Sequence, residues 1–418
     1  LPGHYLSLNL LNFDFSIKRY WELKTDLDYS KTHDEWIEAI QFKLKETVSS
    51  HMISDVPLGA FLSGGVDSST IVGLMTEISN NPVETFSIGF HEEKYSELKY
   101  ARQVSEKFGT NHHELILESS SVDVIDKIID MYDEPFADSS AIPTYFVSKF
   151  AREKVTVVLS GDGGDELFAG YGAYLKLMKL STFNRRNPID ISQLFKLLNK
   201  MIPEHSFGKG LTYYLSKKDS DLAAYFTLNK DYELAGLFNK DFLKTTSEFH
   251  SINRKIAQMS KYKMADKILK SQLLDFNTYL VDDILTKVDR ASMRNSLEVR
   301  VPILDHEFVE LAFQIPTSFK INESNTKIIL KKAFGHILPE SILNRPKKGF
   351  SIPLSNWFNY QLKEFVEEEL FSDQFDSLNI FNKARVRKLI NNHKQSKRDF
   401  GGQIWALLVF SRWLKSNF

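Results

Sequence analysis

The residues best suited to chemistry lie in two short stretches far apart in the chain: VPLGAFLSGGVDSS (Val56–Ser69) and LSGDGGDELFAGY (Leu159–Tyr171). In the first, Leu58, Ala60, Phe61 and Leu62 read as a buried strand. Ser63-Gly64-Gly65 breaks it, and Asp67-Ser68-Ser69 opens a helix through Ile71, Val72, Leu74 and Met75. Adjacent glycines let the backbone turn sharply and present N–H groups with no Cβ in the way. The helix start adds unpaired donors and a positive dipole end, so the turn suits an anion. The three serine hydroxyls add donors, and Asp67 can hold a divalent cation on phosphates. The Lys and the wider glycine spacing of the G-x-x-x-x-G-K-[ST] phosphate loop are both missing.

The second stretch follows a short apolar strand, Val155–Leu159, and makes an open acidic loop. Carboxylates clustered there raise one another's pKa unless a cation joins them. With a phosphate loop on the same sheet edge, a Mg²⁺ shared by Asp67 and Asp165 is the economical arrangement, while Glu166 reads as a helix cap. A third stretch, KVDRASMRNSLEVRVPILDH (Lys287–His306), offers cations from a helix into a loop. Lys287 and Arg294 read as surface salt-bridge residues. Arg300, between two valines, calls for a buried partner, structural or substrate. Lys327 precedes an apolar helix, and Arg345–Phe358 (RPKKGFSIPLSNWF) is a basic loop able to close over phosphates. The neighbours His112 and His113 read as structural.

These residues need a scaffold of alternating strands and helices. Expected strands are Glu84–Phe90 and His112–Leu117; helices are expected from Thr32, over Glu97–Phe108, about Val122–Tyr132 and about Ile142–Arg152, with a packing helix from about Gln403. That alternation predicts a doubly wound α/β fold with a parallel sheet, ligands at the carboxyl ends of its strands, and an added, mainly helical lobe over about 176–270. Residues 1–24 read as a two-stranded hairpin that has lost its neighbours, from which a truncated or processed N-terminus is expected. The 418 residues carry 53 Lys+Arg against 54 Asp+Glu, a net charge of −1, so no global charge excess favours nucleic acid or a membrane. No cysteine is present, which removes disulfides, thiolate metal sites and thiol nucleophiles from these residues. No apolar run approaches the ~18 residues that span a bilayer. Leu1–Leu10 has no basic start like a signal peptide's. A cytoplasmic location is the expectation.

The first loop resembles the SGGxDS loop of the PP-loop ATP pyrophosphatases. Together with TFSIGF, DEPFADSSAIPTY (Asp133–Tyr145), LSGDGGDELFAGY, LEVRVPILD, TKIILKKAF and RPKKGFSIPL, in that order, it resembles the synthetase domain of glutamine-dependent asparagine synthetases over nearly the whole chain. LPGHYL…YWEL resembles the tail of that family's glutaminase domain, the rest of which is missing here; residues 32–418 match the synthetase domain. The resemblance implies that Ser63, Gly64, Gly65, Asp67 and Ser68 hold pyrophosphate, and that Leu62, Ile88, Ser160 and Gly161 line the adenosine. It further implies Mg²⁺ on Asp67 and Asp165, Asp162 handling the proton of attacking ammonia, and Lys327 offsetting charge at the α-phosphate. Arg300 joins the catalytic set. The implied reaction takes ATP, aspartate and ammonia (from glutamine in the intact protein) to asparagine, AMP and pyrophosphate, and a homodimer is compatible with it. Asp162 stands where the family often has Glu. That departure keeps open a relative amidating another carboxylate, a sugar acid or a peptide.

Overall fold

The structure is a computed structural model. It describes residues 1–118, 125–186, 192–203, 206, 208–217, 230–234, 236–246, 251–262, 264, 266–345, 349 and 352–417. Five parallel strands form its centre: β3 (Leu58–Phe61), β4 (Glu84–Phe90), β5 (Asn111–Leu117), β6 (Val157–Leu159) and β7 (Glu298–Arg300), in the order β5-β4-β3-β6-β7. The two strands before them, β1 (His4–Leu8) and β2 (Phe15–Arg19), pair antiparallel as a separate hairpin with Leu6, Leu8, Phe15 and Ile17 exposed.

The inner strands β3, β4 and β6 are largely buried on both sides because both sides are covered, whereas the edge strands β5 and β7 are more polar. Successive side chains alternate between the two cores: Ala60 and Leu159 belong to one, Phe86, Ile88 and Val158 to the other. The first core receives α1 (His33–His51), α2 (Val66–Ile78) and α3 (Leu98–Phe108). The second receives α4 (Ile125–Asp130), α5 (Ala141–Arg152) and the helix Gly401–Asn417, whose Trp405 and Leu408 are buried. Local sequence defines the ends of α1. Thr32 accepts from the Glu35 amide while Glu35 accepts from the Thr32 amide at 2.7 Å, a capping box whose side-chain cap contributes about 1 kcal/mol.

The doubly wound sheet agrees with the sequence reading, and so do the helices of the added lobe where they are described. Two particulars differ. Strand β7 was not expected, because three residues with one apolar centre carry no alternation. Residues Leu354–Asn359, read as loop, form a helix that buries Trp357 and Phe358. Of the helix expected over Val122–Tyr132, residues 122–124 lie outside the described residues.

In the helical lobe, Tyr174, Leu177, Met259, Ile268 and Leu274 make a small core of their own. Asp275 is buried beside it and accepts a 2.6 Å bond from the Tyr174 hydroxyl. Burial pushes its carboxyl up to about 6, against the downward pull of that bond and of Lys255. A carboxyl raised on folding stabilises the fold below its unfolded pKa, near 3.9, and that contribution is lost as pH rises through about 6. Asp275→Asn should therefore raise the urea midpoint at pH 8 and change it little at pH 4; parallel curves for variant and wild type would assign the pH dependence elsewhere.

Candidate active site

Strand order makes the site. From β3 the chain winds outward through β4 to β5, and the later strands β6 and β7 add on the other side, so the winding reverses between β3 and β6. A crevice opens at such a reversal, beyond the carboxyl ends of the strands. The loops after β3 and β6 are the serine-glycine loop and the acidic loop. They touch: a Cβ added at Gly161 would lie 2.6 Å from the Ser68 amide nitrogen. Gly64 has φ +67° and lies against the Tyr100 backbone, a conformation and a closeness that only glycine tolerates. Ser63 and Ser68 join hydroxyls at 2.9 Å, and the Gly65 amide donates to Ser63 Oγ, which sets the loop at the amino end of α2.

Both loops wall a cleft of about 730 Å³, a size suited to a nucleotide-sized ligand. Leu62, Ile88, Ser160 and Gly161 line it, as do Ser63, Gly65, Asp67, Ser68, Asp162, Asp165 and Lys327. At its centre the Lys327 ammonium bridges two carboxylates, Asp67 and Asp165, with 2.7 Å to Asp165 Oδ1. The three side chains are only 6, 14 and 9 % exposed. The backbone of Lys327 takes the left-handed conformation (φ 53°), which costs a non-glycine residue about 1–2 kcal/mol. The structure thus holds this lysine on the carboxylates at the expense of local strain.

The donor set fits a magnesium ion arriving with phosphates. Asp67 Oδ1 is buried and accepts no hydrogen bond. Among the described residues no group of three or more His, Asp or Glu side chains is gathered as for an all-protein metal cage. Mg²⁺ commonly takes one or two carboxylates and completes its shell from phosphate and water.

The acidic loop contributes two more groups. Asp162 accepts from the Ser160 hydroxyl and faces the cleft. Glu166 is no exposed cap: it is buried, accepts a 2.6 Å bond from the Tyr171 hydroxyl, and is pushed up to about 7 by burial and then by the charge of Asp165. Lys287 is not a surface residue either. It is buried in the cleft wall, 2.8 Å from Asp138 Oδ2; burial pulls its pKa down, but Asp138, with the charges of Asp162 and Asp283, raises it overall. Arg300 does not reach the cleft. Its guanidinium is occupied by Glu298 at 2.6 Å and by the carbonyls of His51 and Ile53 at 2.9 and 2.6 Å, so it ties the end of α1 to β7. The geometry supports the structural half of the expectation for Arg300, not a catalytic place. His113 bonds Glu84 and His112 bonds Thr85 across the β4–β5 ladder, outside the cleft lining.

Comparison with known proteins now bears on this geometry. The profile of the asparagine synthase family matches residues 39–415. This chain belongs to the asparagine synthase family. It is 34% identical over 390 residues to asparagine synthetase [glutamine-hydrolyzing] 1 of Bacillus subtilis (strain 168), covering 92% of this chain and 60% of that protein. It is likewise 34% identical over 379 residues to the putative asparagine synthetase [glutamine-hydrolyzing] of Mycobacterium tuberculosis (strain ATCC 25618 / H37Rv), covering 88% and 56%. The chain therefore spans about three-fifths of the length of the curated relatives it matches. A solved NMN synthetase from Francisella tularensis aligns with 65% of the chain at 13% identity and a TM-score of 0.26, too slight a likeness to carry an argument.

Within this family member, the sequence did not single out Arg345 or Asp138, both of which line the cleft. Arg345 donates to the Gly64 carbonyl at 2.8 Å, pairs with Glu97 and lies over the Tyr100 ring, clamping the phosphate loop. The basic character of RPKKGFSIPL pointed to it; residues 346–348 and 350–351 of that stretch lie outside the described residues. Asp138 sat within DEPFADSSAIPTY with nothing in its spacing to join it to Lys287.

Two substitutions separate the roles. Asp67→Asn should lower pyrophosphate release from ATP by about 100-fold or more while leaving the urea midpoint nearly unchanged. Arg300→Gln should do the reverse, costing about 2 kcal/mol of stability with the KM for ATP unaltered. A collapse of ATP affinity in Arg300→Gln at full stability would return that residue to the site.

Proposed function

We propose that this chain is the ATP-dependent amidoligase part of an asparagine synthetase: it adenylates the side-chain carboxylate of aspartate and passes the acyl group to ammonia. The observation that carries this reading is the meeting of Asp67, Asp165 and Lys327 at one point of a cleft whose walls are the serine-glycine and acidic loops.

ATP enters with its β,γ-phosphates on the loop Ser63–Ser68 and the amino end of α2, where N–H groups and hydroxyls converge. Leu62 and Ile88 give the adenosine an apolar wall, and Ser160 and Gly161 a polar one. Asp67 and Asp165 would hold Mg²⁺, which supplies charge neutralisation on the pyrophosphate leaving group. The carboxylate oxygen of aspartate attacks the α-phosphorus, the bond to the bridging oxygen breaks, and pyrophosphate leaves. Both reacting partners are anions, so a cation at the α-phosphate lowers the barrier most. Lys327, whose ammonium lies between Asp67 and Asp165 in the cleft, supplies a cation there. Ammonia then attacks the acyl carbon, AMP departs with its electron pair, and Asp162 takes the proton that the new amide nitrogen sheds. Its bond from Ser160 keeps its carboxylate aimed into the cleft. Arg345 clamps the phosphate loop and itself lines the cleft.

Substrate carboxylate labelled with ¹⁸O tests the scheme. Attack on the α-phosphorus transfers one carboxylate oxygen to AMP, so one ¹⁸O per AMP is expected, with unlabelled pyrophosphate. Label in inorganic phosphate, with ADP as the nucleotide product, would place the attack at the γ-phosphorus and end this reading.

A further inference from the structure

Away from the nucleotide cleft, one surface helix is composed against its own stability. The helix Lys383–Lys394 buries Val386, Leu389, Ile390 and His393, a stripe at i, i+3, i+4 and i+7 turned toward the second core. Among its twelve residues are five Lys and Arg and no Asp or Glu. Lys383 and Arg385 stand in the first turn, where the helix dipole favours the opposite sign. Lys383 and Arg387 are like charges four apart, and Asn391-Asn392 are weak helix formers. Lys383, Arg387, Lys388 and Asn391 are exposed, so packing asks for none of them. An exposed face whose residues all work against its own helix has another task.

That face forms one side of a shallow groove of about 610 Å³. Its cations are Lys383, Arg387, Lys388 and Lys397; its carboxamides are Asn391, Asn392 and Gln395. No carboxylate and no aromatic ring lines it, and it shares no residue with the nucleotide cleft. Lys383 pairs with Asp376, and Arg387 lies over the Phe371 ring at 5.3 Å. Among the described residues no carboxylate pairs with Arg387, Lys388 or Lys397. A chain of net charge −1 thus gathers here a field that selects an anion.

Spacing and chemistry narrow that anion. Lys383, Arg387, Asn391 and Gln395 form one row at i, i+4, i+8 and i+12, with steps of about 6 Å along the axis. Alternate residues of an extended peptide step about 6.6 Å, so the row of about 18 Å matches five or six extended residues. A carboxamide donates and accepts at once, which a peptide backbone answers and a phosphodiester, an acceptor only, does not. Without a ring to stack a base, the groove also lacks the platform that single-stranded nucleic acid uses.

We propose that this face binds an extended acidic segment of a partner protein. Its alternate carboxylates lie on Lys383, Arg387 and Lys388 at one end and on Lys397 at the other, and its backbone is read by Asn391 and Gln395. This goes beyond the amidoligase reading and does not depend on it.

Fluorescence anisotropy with the full chain tests it, using a labelled decapeptide of alternating Glu and Ser and a labelled oligouridylate with five phosphates. The peptide should bind at least tenfold more tightly than the oligouridylate. Lys388→Glu with Lys397→Glu should weaken the peptide at least tenfold, and Asn391→Ala with Gln395→Ala at least threefold. All four positions are exposed, and the unfolding midpoints of both variants should match that of the wild type. Absence of peptide binding, oligouridylate binding as tight as the peptide's, or a peptide affinity unaltered in either variant overturns the assignment.

Discussion

Two carboxylates side by side and nearly out of water cannot both stay charged without a cation, and the rest of this structure is arranged around that constraint. Asp67 opens α2 and Asp165 lies in the short helix after β6, and each is drawn inward by its own loop. Glycines make the approach possible. A Cβ at Gly164 would collide with the Asp67 carboxylate, and one at Gly170 with Asp165 and Lys327. In the ligand-free chain the compensating charge is the Lys327 ammonium. The same carboxylates suit a divalent ion once phosphates supply the remaining ligands. Under the proposed function, such an ion would take the place of the ammonium on these carboxylates and leave Lys327 available to the nucleotide.

The parallel sheet serves that constraint through its winding. Strands β3 and β6 are neighbours in space although about a hundred residues separate them in sequence, and their loops emerge at the same edge. Arg300 and Arg345 then hold the two sides in place, one by tying α1 to β7 and the other by clamping the loop itself. Arg300 serves the stability of the sheet edge, while Arg345 lies in the cleft wall and bears on the phosphate loop directly. The hairpin β1–β2, with exposed apolar side chains, adds nothing to the cleft.

What could be read in advance was what local chemistry states outright. The turn Ser63-Gly64-Gly65 between an apolar run and an apolar helix declares a strand, a loop and a helix start, and the acidic loop after Val155–Leu159 declares its place at a strand end. Because both loops must lie at carboxyl ends of one parallel sheet, the meeting of Asp67 and Asp165 followed from topology. Contacts closed over long separations were illegible. The Lys287–Asp138 pair joins residues 149 positions apart, and the Lys327–Asp67 bridge spans 260. A lysine in sequence looks like a surface residue until its partner is known. Arg300 misled for a related reason: flanking valines announced a buried partner, but two backbone carbonyls can supply one as well as a substrate can. Strand β7 and the helix Leu354–Asn359 were too short to show a period.

The central claim is that Asp67 and Asp165 form one cation site, filled by Lys327 in the free chain and by a divalent metal in the nucleotide complex. Electron paramagnetic resonance of Mn²⁺ tests it directly, in wild type and in Lys327→Met, with and without a non-hydrolysable ATP analogue. The account predicts tight binding of one Mn²⁺ by the wild type only with the analogue, and by Lys327→Met also without it. Equal Mn²⁺ binding by wild type with and without the analogue, or a Lys327→Met variant that still requires it, would contradict the account.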